Sequence, residues 1–237
     1  MRAKAAAHIH KNDGIKWRSH EPSRIETFSD AAFAFALTLI IVSIEPPKTF
    51  DSLVETMSFK GLLSFAICFA LLFNIWNSQN IFFRRYGLTD TYTIALNAIL
   101  LFVVLIYTYP LKFLFELVFS SPEEQGHMIH NGQTKPLMLI YSAGFIAIYI
   151  LFYLMYRHAQ KFAEELELTP TELYATKTVG GINLICVCIS LVAVTVAVVL
   201  PEKYCGASGY IYCSFPLAYS FWFRYRGKKA RKKFPVM

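Results

Sequence analysis

Charge is scarce in this sequence. Asp, Glu, Lys and Arg make up 16% of its 237 residues, while 55% are hydrophobic. A soluble domain carries about 25% charged residues, and the apolar runs here are too long and too poor in charge for one. Cysteine is also sparse, at five residues without paired metal spacing, which excludes a disulfide framework or a zinc site. Cys68, Cys186 and Cys188 lie inside apolar runs and read as buried apolar residues. Cys205 and Cys213 flank a loop near the end of the chain and could pair only if that side of the membrane is oxidising. His8 and His10, and His127 and His130, have no acidic or thiol neighbour and read as solvated loop histidines. A glycine-rich phosphate loop, a serine-nucleophile elbow and an HExxH motif are all missing. Neither enzyme chemistry nor a cofactor is expected.

What the chain does have is apolar length. Crossing a hydrocarbon core of about 30 Å takes roughly 20 apolar residues as a helix. Six segments qualify: 24–44, 58–82, 91–119, 136–156, 179–200 and 209–223. They predict an all-α integral membrane protein with six transmembrane helices. Its domains would be a basic N-terminus (1–23), a membrane domain (24–223) and a basic tail (224–237). Pro110 in the third segment predicts a kink or an end extending past the membrane. The sixth is the shortest, with Gly209 and Pro216 inside it. Met1–His20 is basic without an apolar stretch, so no cleavable signal peptide is expected.

Basic residues set the orientation. With six spans, both termini share a side with the second–third and fourth–fifth loops, and that side holds 18 of the 23 Lys and Arg. By the positive-inside rule both termini are cytoplasmic. The tail RYRGKKARKKF then reads as a topology anchor attracted to anionic lipid rather than as a nucleic-acid patch, and no nucleic-acid partner is expected. Thr178-Val179-Gly180 begins like a carbonyl filter but continues Gly181-Ile182-Asn183, so close helix packing is the expected role of its glycines. Thr169-Pro-Thr-Glu172 reads as a helix start.

The first segment, RIETFSDAAFAFALTLIIV, is the most informative. A carboxylate at the edge of hydrocarbon usually faces a bundle interior or water, which places a polar network around Asp30. Ala31, Phe35, Thr38 and Val42 follow the i, i+4, i+7, i+11 spacing of one helical face, with Ala34 on its shoulder. That face suits helix packing. It equally suits a pore wall, with a bulky dewetted ring at Phe35 and a hydroxyl one turn away at Thr38.

Arg24 followed by Phe28-Ser29-Asp30, Ala31 and Thr38 resembles the signature of the transmembrane protein 175 family of potassium channels. One motif copy and six spans resemble the prokaryotic form. The resemblance implies a homotetramer in a prokaryotic plasma membrane, surrounding a central pore lined by the first helix. It implies passive passage of potassium ions in preference to sodium, with no carbonyl filter and no metal beyond transient potassium. The family's hydrophobic constriction falls on Phe35, with Val42 as a second candidate, and its selecting threonine on Thr38, with Ala31 and Ala34 alongside. Arg24, Phe28, Ser29 and Asp30 would brace this helix against the second and third helices. Trp76 supplies an indole donor there, and Asn97 an amide. Gln79 stands where the family commonly has a histidine, which removes a group titrating near neutral pH. Two alternatives remain on the residues alone. One is a proton-permeable channel using Asp30, Asn74, Asn77 and Glu116. The other, a secondary transporter, lacks the repeated halves such a fold needs.

Overall fold

The computed structural model describes residues 16–19, 21–42, 50, 59–130 and 132–234. Every regular element among them is helical. His8, His10, the basic residues before Lys16, and positions 43, 44 and 58 of the expected first two spans lie outside the described residues. The elements run α1 (Arg24–Val42), α2 (Phe59–Tyr86), α3 (Thr91–Phe119), α4 (Pro122–Met128), α5 (Thr134–Lys161) and α6 (Pro170–Val199). A short α7 (Glu202–Cys205), a 3₁₀ helix (Gly206–Ser214) and α8 (Phe215–Lys233) complete the chain.

Among the described residues, five helices are long and apolar enough to cross a membrane: α1, α2 over Gly61–Tyr86, α3, α5 and α6. Helices are the expected solution, because a single span in hydrocarbon must satisfy its own backbone hydrogen bonds. The starts are chemically marked. Asp90 caps α3 by accepting from the amides of Tyr92 and Thr93. Thr169 and Glu172 form a reciprocal capping box at α6, with Pro170 in the first turn, as the sequence pattern predicts. The 29 residues of α3 span about 43 Å at 1.5 Å each, so this helix continues through Pro110 and outruns a bilayer core.

The sixth expected span needs correction in its boundaries. Residues 209–223 do not form one helix: the chain is 3₁₀ through Ser214, and α8 starts at Phe215 and continues to Lys233. Pro216 explains the division. It sits in the first turn of α8, where its missing N–H costs nothing, rather than inside a helix. The basic tail is therefore the second half of α8, not an appendage to it.

α5 and α6 form an antiparallel pair joined by residues 162–169; α3 packs on α5 and α2, α1 on α3 and α2, and α8 on α6. Phe82, Leu100, Val104, Tyr141, Phe152 and Met155 fill the centre. Two glycines allow the closest approaches. Gly144 lies under the Tyr107 ring and Gly181 against the Trp222 indole, where a Cβ would not fit. Thr178-Val179-Gly180 is ordinary helix within α6. All five cysteines are free thiols, Cys205 buried and Cys213 exposed.

Candidate functional site

α1 has two opposite faces. Ser29, Phe33, Ala36 and Ile40 are buried against the bundle. Arg24, Phe28, Ala31, Phe35, Thr38 and Val42 recur at i, i+4, i+7, i+11, i+14 and i+18 on the other side, and all six are exposed in the single chain. Phe35 is 56% exposed and Val42 76%; Ala34 and Ile41 extend the same open strip. The Thr38 hydroxyl donates to the Phe35 carbonyl at 2.7 Å. Its proton is thereby committed to the backbone, and its oxygen lone pairs remain for whatever passes the open face.

The buried face is fixed by a hydrogen-bond relay through three helices. Gln79 Nε2 of α2 donates to Asn97 Oδ1 of α3 at 2.9 Å. Asn97 Nδ2 donates to Ser29 Oγ of α1 at 2.9 Å, and Ser29 Oγ donates to the Ile25 carbonyl at 2.7 Å. All three side chains are buried. Every link has a donor and an acceptor, so the relay ends on backbone without leaving an orphaned group, as buried polar chemistry requires. Beside it, Trp76 Nε1 donates to Asp30 Oδ1 at 2.7 Å. Gln79 fills its place as a neutral amide, satisfied within the relay.

The structure thus brings Ser29, Asp30, Trp76, Gln79 and Asn97 together. Arg24 and Phe28 stand apart from them. Helical spacing puts both on the open face, where Phe28 is 63% exposed. Asp30 is exposed and lines a polar cleft of about 250 Å³, shared with Ser19, Glu21, Glu26, Gln79 and Arg84. Glu116 is engaged by Lys112 one turn away on α3, at 3.2 Å. Among the described residues, no group of three His, Cys, Asp or Glu side chains is placed to hold a metal ion.

One set of residues went unread in the sequence. Lys16–Ser19 lie across the end of the bundle as a strap leading into α1. The backbone amides of Arg18 and Ser19 donate to the Arg84 carbonyl at the end of α2. The Arg18 guanidinium grips both oxygens of Glu172, at 3.2 and 3.0 Å, and donates to the Leu166 carbonyl at 2.7 Å. The Lys16 amide adds a third contact to Glu172, at 2.8 Å. Arg84 stacks over Trp17, 3.6 Å from the ring centre. The capping-box pattern at Thr169 was visible; that Glu172 also receives Arg18 was not.

Comparison with known proteins gives concordant matches. Residues 24–107 match the family model described as endosomal/lysosomal potassium channel TMEM175, a region containing the whole relay. A potassium channel of Marivirga tractuosa is 36% identical over 235 residues, covering 93% of this chain and 94% of that one. A potassium channel of Chamaesiphon minutus is 29% identical over 147 residues, 59% of this chain and 66% of that one. The crystal structure of a variant of the potassium channel MtTMEM175, in complex with a nanobody–MBP fusion protein, superposes with a TM-score of 0.78 at 35% identity. That match covers 92% of this chain and 98% of the other.

Proposed function

This chain belongs to the TMEM175 family of potassium channels, as a multi-pass membrane protein and not an enzyme, and on that premise we propose that four copies conduct potassium ions passively through a central pore lined by α1. The observation that carries the reading is the division of α1: one face tied down by the relay, the opposite one open from Phe28 to Val42. Four such faces around an axis make a pore without any carbonyl filter. Phe35 supplies a ring of aromatic side chains that gates by dewetting, with Val42 as a second narrowing. Thr38 supplies acceptor oxygens to a partly dehydrated cation, and the small Ala31 and Ala34 keep the path open beside them. Selection of potassium over sodium is assigned to that level.

The same reading takes both termini as cytoplasmic and the protein as a resident of a prokaryotic plasma membrane, on the distribution of basic residues. This requires a sixth crossing. The nine residues of Gly206–Ser214 rise about 18 Å at the longer 3₁₀ step, and residues 215–223 add about 13 Å as α-helix. Together they match a core of about 30 Å, which supports six spans from five long helices and one composite.

The test is potassium uptake into liposomes carrying the purified protein, with sodium and proton gradients run in parallel. Potassium-selective uptake that loses its preference in Thr38→Ala supports the reading. Unchanged preference in Thr38→Ala removes the selecting role from Thr38. If wild-type and Phe35→Ala proteins are both silent to all three ions, the channel reading is wrong. Proton uptake without potassium uptake favours the proton-permeable alternative.

A further inference from the structure

The face of α8 turned away from the bundle changes character along its length. Leu217 and Phe221 are 73% and 74% exposed. One turn on, at i+7, i+11 and i+14 from Leu217, the same face presents Arg224, Lys228 and Arg231, all exposed. An apolar strip therefore runs directly into a basic strip on one side of one helix.

The opposite side is firmly held. Trp222 Nε1 donates to the Thr178 carbonyl of α6 at 2.8 Å. Arg226 Nε donates to Thr178 Oγ1 at 3.0 Å, and its guanidinium stacks on Tyr174 at 3.9 Å. Tyr174 in turn donates to the Arg226 carbonyl at 3.0 Å. The change from apolar to basic falls at the level of Trp222 and Tyr225, rings of the kind that settle at a membrane–water boundary. Among the described residues, Arg226 alone of the seven basic residues of α8 bonds to the bundle. The helix contains no Asp or Glu, and none of the other six basic residues forms an ion pair among the described residues.

We propose that this face is a binding site for one anionic phospholipid of the cytoplasmic leaflet. An acyl chain would lie on Leu217 and Phe221, and the headgroup phosphate on Arg224, Lys228 and Arg231. Charge sign, the apolar-to-basic order and the rigid docking of the helix all match that occupant. A positive tail acting only as a topology anchor needs no helical register. Here the register places three cations above the two exposed apolar side chains. The proposal rests on the membrane orientation given above and not on which ion the channel passes.

The experiment is retention of added phosphatidylglycerol or phosphatidylcholine by the detergent-purified full-length protein, read by native mass spectrometry. The face variant Arg224→Gln/Lys228→Gln/Arg231→Gln is compared with the charge-matched control Lys229→Gln/Lys232→Gln/Lys233→Gln. The single variant Lys228→Gln is carried alongside in case the triple fails to fold. Each cation near a lipid surface contributes on the order of a fivefold effect, so the face variant should retain phosphatidylglycerol at least about tenfold more weakly. The single should lose a few-fold, and the control should stay within about twofold of wild type. Equal retention of the two lipids by wild-type protein overturns the proposal, as does equal weakening by both triples, which would mean a smeared anchor. A face variant that alters subunit number while leaving lipid retention intact also overturns it, and makes the face an interface between copies. Potassium flux measured on the same preparations tests the channel reading separately.

Discussion

Trp76 Nε1 donates to Asp30 Oδ1 at 2.7 Å, across the junction of α1 and α2 and immediately beside the Gln79–Asn97–Ser29 relay. The two residues are 46 positions apart in sequence. Their bond fixes the rotation of α1 about its own axis, because Asp30 follows directly on Ser29, whose hydroxyl is held from α3. Two adjacent residues held from two different helices leave α1 little freedom to turn, so the strip from Phe28 to Val42 keeps one direction.

Removing the donor with Trp76→Phe, or the acceptor with Asp30→Ala, should each lower stability by about 1 kcal/mol, since Asp30 is exposed and water replaces part of the bond. The double variant should cost less than the sum. A thermal-unfolding cycle in detergent reads this coupling; additive losses would show that the contact contributes nothing.

The relay should be far less tolerant. Asn97→Leu leaves the Gln79 amide N–H without its acceptor and the Ser29 oxygen without its donor in a buried site, while Ser29 keeps its own bond to the Ile25 carbonyl. Orphaned buried groups cost about 1–3 kcal/mol each. We expect a loss of roughly 2–4 kcal/mol by the same principle, and partial recovery when Gln79→Leu is added. If Asn97→Leu unfolds at the wild-type temperature, the relay is not a brace.

Arg18→Gln removes the cation from a Glu172 carboxylate that is 2% exposed. Breaking such a pair from one side costs about 3–5 kcal/mol when both charges are fully buried. Arg18 retains some exposure, so we expect about 2–3 kcal/mol from that principle. Hydrogen exchange should rise across residues 16–19 and the first turn of α6. Protection unchanged in both places would remove the strap's role.

Gly144→Ala places a methyl group inside the Tyr107 ring, whose hydroxyl also donates to the Tyr141 carbonyl at 3.0 Å. Overpacking of this kind costs about 1–3 kcal/mol. Adding Tyr107→Leu should recover part of it; if it makes matters worse, the two positions are not in conflict.

Acid should act through Asp90, the α3 cap, which also contacts His158 at 2.9 Å. Burial works to raise this carboxyl, but hydrogen bonds from Thr93 and the His158 ring outweigh it and hold it below the ordinary carboxylate value. A lowered folded-state pKa contributes stability that is complete above the unfolded value of about 3.9 and lost as pH falls through the folded one. The melting temperature of wild type should therefore drop below about pH 4 by more than that of Asp90→Asn. The variant keeps a capping side chain but not the charge. Parallel acid profiles would discard the assignment.

The polar centre was partly legible before any coordinates. Trp76 and Asn97 could be named as partners of the motif on α1 because few polar residues occur in the apolar segments and each needs another; Gln79 was pointed out by the family resemblance, which has a histidine at its place. Arg24 and Phe28 were grouped with the same brace because the family motif that the sequence resembles includes them. The helical turn carries them to the opposite face. The Arg18–Glu172 grip, between residues 154 positions apart, had no local signal, since both look like ordinary cytoplasmic charges.

The sequence alone determined that its five long apolar stretches are helices, because hydrocarbon leaves a single span no other way to satisfy its backbone. It also determined the two faces of α1, because 3.6 residues per turn sort Ser29, Phe33, Ala36 and Ile40 from Ala31, Phe35, Thr38 and Val42. Only the tertiary structure decided where the last apolar stretch divides, with Pro216 opening α8 and the basic residues continuing its helix. It alone decided which polar groups meet, because hydrogen bonds between helices depend on the rotation and relative depth of each. Those are set by close approaches such as Gly144 to Tyr107 and Gly181 to Trp222, which no single helix encodes.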